Sequence, residues 1–244
     1  MIAIEDNFSK YNHKDYFEIS IEAWKKYCTK NSIDFILIDK KLNSIPHSKW
    51  TKHFLFDYIE DKYEKIGMVD FDTIPKWDMP NPFELYNDEF CGVIDNCNLN
   101  WLNNSLNAYK STFQELDVDI KISEYINSGV LFFTKNHKFV FEEMKHFYFN
   151  NKTVLDNWSV SNTGRDQTIL NLVLKKLNIK KKYFPYSWNT VSMIKKGMFF
   201  YNDKLQDFTP FFIKYGNIWH FTGFSIEERT NIIRQLWSQT KHLY

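Results

Sequence analysis

Short apolar runs and amphipathic stretches alternate along the first part of the chain. Ile2 to Glu5 reads as a short strand, and a helix is expected from about Tyr16 to Thr29. Phe35-Ile36-Leu37-Ile38 is the compact apolar run of a buried strand, with a helix expected from about Trp50 to Glu60. Ile66-Gly67-Met68-Val69 is a third such run and leads straight into Asp70-Phe71-Asp72. Strand and helix alternating at this spacing predict βαβ units, and so an α/β fold with a mostly parallel central sheet flanked by helices. Further strands are expected at Phe90 to Ile94 and at Gly129 to Thr134. Between Asp166 and Leu177, apolar Ile169, Leu170, Val173 and Leu177 recur at helical spacing. Ser225-Ile-Glu-Glu228 is a capping box that predicts a last helix running through Trp237. No internal repeat and no Gly/Ser/Pro-rich linker divides the sequence. A single domain over residues 1–244 is therefore expected, more irregular in its C-terminal third.

Composition narrows the function classes. Lys+Arg 31 against Asp+Glu 30 excludes a globally basic nucleic-acid binder and an acidic disordered tail. Aromatic residues at 18%, with only 7 Gly and 6 Pro, argue against extended disorder. Cys28, Cys91 and Cys97 form no CxxC pair, so neither a disulfide framework nor a cysteine zinc site is expected, which favours a reducing compartment. The first residues lack the basic region and apolar stretch of a secretory signal. The longest apolar runs, such as Val130 to Phe133, are too short to cross a bilayer. A cytoplasmic protein without a transmembrane segment is expected.

The candidate chemistry begins at Asp70 and Asp72. In an extended segment, side chains at i and i+2 share a face, so both carboxylates could project from the C-terminal edge of the sheet, where open α/β sheets bind ligands. Two hard oxygen ligands with open positions suit Mg²⁺ or Mn²⁺ held jointly with a diphosphate. A solvated turn is the plain alternative. A third reading is the Asp-x-Asp-x-Thr/Val nucleophile loop of haloacid-dehalogenase-type phosphatases, with Asp203 and Asp207 as its later acidic pair. Against it, the motif does not lie on the first strand and its final residue is Ile74.

Further motifs follow in order: Phe90-Cys-Gly-Val-Ile-Asp95, Tyr125-Ile-Asn-Ser-Gly-Val130, Asp166-Gln-Thr-Ile-Leu-Asn171, Trp188-Asn189 and Trp219-His-Phe-Thr-Gly223. In this order and spacing the chain resembles the GT-A-fold (Rossmann-like) glycosyltransferases. The likeness is greatest to the retaining family 8 type, which includes glycogenin and bacterial galactosyltransferases. The resemblance implies a metal-dependent enzyme that moves a hexose, with retention, from a nucleotide-diphosphate sugar, UDP-sugar favoured. The acceptor would be a carbohydrate or glycoconjugate. It implies that Asp70, Asp72 and His220 hold the metal, and that Asp6 and Asn7 touch the nucleotide's base and ribose. Lys52, 18 positions before Asp70, matches a basic residue on the donor. Asp95 and Asn127 resemble residues that hold the donor sugar's hydroxyls. Asp166 and Gln167 match the catalytic pair below the anomeric carbon, and Gly223 the glycine that admits the diphosphate. An imidazole ligand would move the preference from Mg²⁺ towards Mn²⁺.

The chain also departs from this pattern. Phe224-Ser225-Ile226-Glu227 stands where the family carries Lys-Pro-Trp, so the diphosphate lysine has no counterpart there, and Arg229 is the candidate substitute. Phe71 replaces the usual small residue between the aspartates. A non-catalytic GT-A-like carbohydrate- or nucleotide-binding module is the alternative these departures raise. Each residue also has a purely structural reading. Asn127-Ser-Gly could be a turn, Asp166 a helix-start acid, His220 a core histidine and Lys180 to Lys182 a solvated face. Trp101, Trp158 and Trp188 could stack on an acceptor sugar or pack in the core. Acceptor specificity is expected in Asn98 to Leu116 and Asn150 to Arg165, which read as irregular.

Overall fold

The computed structural model describes residues 2–4, 14–38, 48–159, 163–197 and 210–244. Asp6, Asn7, Asp203 and Asp207 lie outside the described residues. Six strands form the main sheet: β1 (Ile2–Ile4), β2 (Ile36–Ile38), β3 (Lys65–Asp70), β5 (Phe90–Ile94), β6 (Ile126–Thr134) and β7 (Lys181–Tyr183). Their order is β2-β1-β3-β6-β5-β7. β1 runs parallel to β2 and β3, and β7 runs parallel to β5. β6 alone is reversed, antiparallel to both β3 and β5. The sheet is thus mostly parallel, with one inverted central strand. All nine residues of β6 are buried, which is why its second half reads as an unbroken apolar run rather than an alternating one. A two-stranded antiparallel sheet joins β4 (Thr73–Pro75) to β8 (Ile218–His220), with Thr73 opposite His220.

The helices are α1 (Lys14–Lys30), α2 (Ser48–Thr51), α3 (Leu99–Thr112), α4 (Lys138–Asn150), α5 (Lys152–Asp156), α6 (Arg165–Lys176), α7 (Val191–Lys195), α8 (Phe211–Tyr215) and α9 (Ile226–Thr240). α6 packs on β6 and is itself covered by α3 and α4, whereas α1 packs on α9 and β4. The capping box forms as expected: Glu228 N donates to Ser225 Oγ at 3.3 Å and Ser225 N to Glu228 Oε2 at 3.0 Å. Among the described residues, no helix is long and apolar enough to cross a membrane.

Several expectations need correction. The helix expected from Trp50 to Glu60 is instead the single turn of α2 followed by a 3₁₀ segment over Lys52–Asp57. Four consecutive residues there, Lys52 to Leu55, are buried. An amphipathic surface helix cannot bury four in a row, because its turn carries one of them to solvent. β6 begins at Ile126 rather than Gly129, so Asn127 and Ser128 are strand residues and not a turn. The side chain of Asn171 on α6 holds that start, accepting from Ile126 N and donating to Ile126 O, both at 2.8 Å. The stretch from Asn98 is not irregular. Asn98 caps α3 through Trp101 N at 3.0 Å, and Leu102, Ser105, Leu106 and Tyr109 form its buried stripe. Trp158 stacks on Tyr109 at 4.4 Å between centroids, and Trp188 packs on Phe184 at 5.3 Å, so both serve the core. Lys181 and Lys182 lie on edge strand β7, where lysines discourage pairing with another chain.

Candidate active site

The turn after β3 is held by α1. Thr73 Oγ1 donates to Asp70 O at 2.5 Å and accepts from Trp24 Nε1 at 3.0 Å, while Ser20 Oγ donates to Thr73 O at 2.7 Å. Asp72 therefore sits in a turn, and the two carboxylates converge by chain reversal rather than by strand alternation. Phe71 points into the core against Phe17 of α1, at 4.9 Å between centroids, which explains a large residue at that position. Phe221 N donates to Asp72 O at 2.8 Å, tying this turn to the end of β8.

Asp70, Asp72 and His220 each place a ligand atom within 4.8 Å of the others. His220 Nε2 lies 3.2 Å from Asp72 Oδ1, is buried and has no hydrogen-bond partner. A Cβ at Gly129 would overlap His220 Cε1 and come within 2.9 Å of Asp70 Oδ2, so only glycine leaves the space between them open. Two carboxylates and an orphaned imidazole nitrogen around such a space fit a divalent cation. Asp72 Oδ2 takes an ion pair from Arg229 at 3.2 Å, and Arg229 also donates to Tyr16 Oη at 3.2 Å.

One cleft of about 440 Å³ brings Asp70 and His220 together with Lys52, Asp95, Asn127, Asp166, Gln167 and Gly223. Its floor is hydrogen-bonded throughout. Asp95 Oδ2 accepts from Asn127 Nδ2 at 3.2 Å and from Gln167 Nε2 at 3.0 Å, and Gln167 Oε1 accepts from Ser128 N at 3.0 Å. Lys52 Nζ lies 3.2 Å from Asp166 Oδ2, 3.4 Å from Asp70 Oδ1 and 3.0 Å from Ser128 Oγ. His53 Nε2 meets the same Asp166 oxygen at 3.1 Å. Burial would raise Asp166, yet Lys52 and His53 hold it far below the carboxylate range. Burial would likewise lower Lys52, and its two carboxylates raise it instead. His53 is the exception: burial wins over Asp166 and pushes the imidazole down.

Solved structures share this architecture. A glycosyltransferase involved in the glycosylation of the major capsid of PBCV-1 matches with a TM-score of 0.59 at 12% identity, over 96% of this chain and 98% of that one. The galactosyltransferase LgtC, solved with donor and acceptor sugar analogues, gives 0.52 at 17% identity, over 98% of each chain. The bifunctional glycosyltransferase WbbM gives 0.53 at 14% identity, over 98% of this chain and 50% of that one. The fold is GT-A. No protein-family model and no curated protein matches the chain.

Four side chains in or beside this cleft escaped the sequence reading. His53 and Ser128 were adjacent to residues singled out, but nothing local announces that their side chains turn inward. Asn189 was quoted within a motif without a role. Lys195, at the end of α7, lines the cleft beside Gly223, whose φ is +77° and where a Cβ would come within 2.8 Å of Lys195 Cε. Arg229 does not line the cleft. Its guanidinium is committed to Asp72 and Tyr16, and the expectation that it replaces the missing lysine is corrected accordingly.

Proposed function

We propose that the chain is a single-domain, metal-dependent glycosyltransferase that moves a hexose from a nucleoside-diphosphate sugar, UDP-sugar favoured, to a carbohydrate or glycoconjugate acceptor. The observation that carries this reading is the convergence of Asp70, Asp72 and orphaned His220 Nε2 at one end of a cleft whose floor is lined by Asp95, Asn127, Asp166 and Gln167. A divalent cation held by Asp70, Asp72 and His220, Mn²⁺ in preference to Mg²⁺, would neutralise the departing diphosphate. Lys195, exposed at the cleft wall beside Gly223, supplies the second positive charge to that diphosphate. The missing Lys-Pro-Trp then reflects a cation moved to another element, and the non-catalytic alternative loses its motive.

Asp95 and Asn127 hold the donor's hydroxyls, and Asp6 and Asn7 keep their proposed place against base and ribose. Asp166 and Gln167 lie beneath the anomeric carbon. Asp166 is a poor nucleophile in this setting, because Lys52 and His53 both engage its Oδ2. Gln167 Oε1 is likewise occupied by the Ser128 N–H. Their role is electrostatic support of the oxocarbenium-like centre, worth about 3–4 kcal/mol by analogy with oxyanion-hole donors. This favours retention by front-face attack over a covalent intermediate. The GT-A fold leaves the phosphatase alternative without support.

The test is a thermal-shift panel of nucleoside diphosphates and nucleotide sugars with and without Mn²⁺. A ligand at a hundredfold its Kd adds about 2.7 kcal/mol of stability, and nucleoside diphosphate should be released when an acceptor is supplied. Asp72→Ala should abolish the metal-linked shift. The reading is lost if no donor gives a metal-linked shift in the wild type.

A further inference from the structure

His220 is reached by a line of hydrogen bonds whose direction is fixed from one end. Gly129 N is a backbone donor and can only donate, and it lies 2.9 Å from Asn127 Oδ1. That atom is therefore the amide oxygen, and the other end of the same amide, Nδ2, donates to Asp95 Oδ2 at 3.2 Å. Flipping Asn127 would set two donors face to face at Gly129 and two acceptors face to face at Asp95. Asn189 meets Asn127 Oδ1 at 2.9 Å and must present Nδ2 there. Its remaining atom, Oδ1, faces His220 Nδ1 at 2.9 Å and can only accept. His220 Nδ1 consequently carries a proton, and in the neutral ring Nε2 carries none.

The lone pair of Nε2 is thus left facing Asp72 Oδ1 across 3.2 Å, acceptor against acceptor, with both atoms buried beside Asp70. A positive charge between them, a metal ion or a second ring proton, relieves that arrangement. Asn189 is 4% exposed and does not line the cleft, so its contact with a ligand is through His220.

We infer that Asn189 is a positioning residue: relayed from Gly129 through Asn127, it holds His220 as the Nδ1–H tautomer and aims the Nε2 lone pair at the cation space. The same relay ends on Asp95, so the sugar-facing end of the cleft and the cation ligand share one hydrogen-bonded unit. This inference rests on the metal reading given above for its purpose, but not for its measurement.

The decisive observation is the tautomer of His220 in the metal-free protein, read from imidazole ¹⁵N shifts under conditions where those shifts report a neutral ring. The His220 signals are identified by their loss in His220→Gln. In the wild type, Nδ1 should be protonated and Nε2 bare. Asn189→Leu removes the acceptor, so the proton should move to Nε2 and bond Asp72, and Mn²⁺ affinity measured by EPR should fall roughly 10–100-fold. Asn189→Asp keeps an acceptor for Nδ1–H but loses the bond to Asn127. It should retain the wild-type tautomer and stay within a few-fold in Mn²⁺ affinity. A structural role alone would harm both variants alike, and equal losses overturn the assignment. So does a wild type that carries its proton on Nε2, whether or not either variant folds. A wild type with the expected tautomer but no Mn²⁺ binding would overturn the metal reading while leaving the Asn189 assignment intact.

Discussion

The two walls of the cleft are built on different principles. The wall supplied by the end of β5, β6, α6 and the 3₁₀ segment after α2 is saturated. Asp95, Asn127, Asp166 and Gln167 are buried, and each is engaged with another protein group. The wall supplied by the small β4–β8 sheet and α7 is open: His220 Nε2 has no hydrogen-bond partner and Lys195 is exposed beside Gly223. A saturated wall holds its shape before a ligand arrives and loses little on binding, which is the condition for electrostatic preorganisation. An open wall keeps groups in reserve and is completed by what it binds. The contrast implies that changes in the first wall cost stability and turnover together, whereas changes in the second cost affinity and turnover but little stability.

Asp166→Asn is the sharpest probe of the saturated wall. It leaves buried Lys52 with Asp70 as its remaining carboxylate, and breaking a buried pair in this way costs about 3–5 kcal/mol. Urea titration should register that loss, and turnover should fall about 10²–10³-fold with donor affinity little changed. Unaltered stability would show that the wall is not the connected unit described.

Lys195→Ala probes the open wall. Because the side chain is exposed, stability should stay within about 0.5 kcal/mol of wild type. Nucleoside-diphosphate affinity should drop about tenfold, with a weaker dependence on salt than in the parent. A destabilised variant with normal affinity would reverse the assignment of the two walls.

The smallest effect is a pH dependence inside the saturated wall. Burial lowers His53, so below about pH 6.5 the unfolded chain binds a proton that the folded chain resists. Stability is then lost on acidification and recovered as pH rises. Asp166 has the opposite starting point: its depressed folded value contributes stability above about pH 3.9 that disappears only at much lower pH. Thermal melts between pH 7 and 5 should therefore report histidines, with His137 also lowered by burial. His53→Gln, which can donate to Asp166 at any pH, should flatten the slope partially, and an unchanged slope would assign it entirely elsewhere.

How far the site was legible follows the distance over which its residues must find one another. Asp70 and Asp72 could be picked out because they follow an apolar strand, and Ser225 because its cap lies three residues from its partner. Asp166 and Gln167 open a helix with a clear apolar period. The meeting of Asp72 with His220 depends on a three-residue pairing between β4 and β8, too short to leave a pattern in either segment. Lys195 was overlooked, and Arg229 misassigned, for a related reason. Two cations at the end of the chain look alike in sequence, and only packing against Tyr16 takes one of them out of the cleft. α3 was legible and missed: its Asn98 cap and apolar spacing were present, but its polar residues obscured them.

The pairing of Asp72 with both His220 and Arg229 has a consequence for the making of the protein. A ribosome delivers the early strands first, so Asp70 and Asp72 emerge without the residues that complete their surroundings. At about 5–20 residues per second, roughly 150 further residues take on the order of ten seconds. During that interval the two carboxylates are ordinary acids on a nascent chain, without the imidazole and guanidinium that later flank Asp72. The surroundings of Asp72 are complete only once β8 and α9 have been made, so the cluster of Asp70, Asp72 and His220 is among the last features of the fold to form.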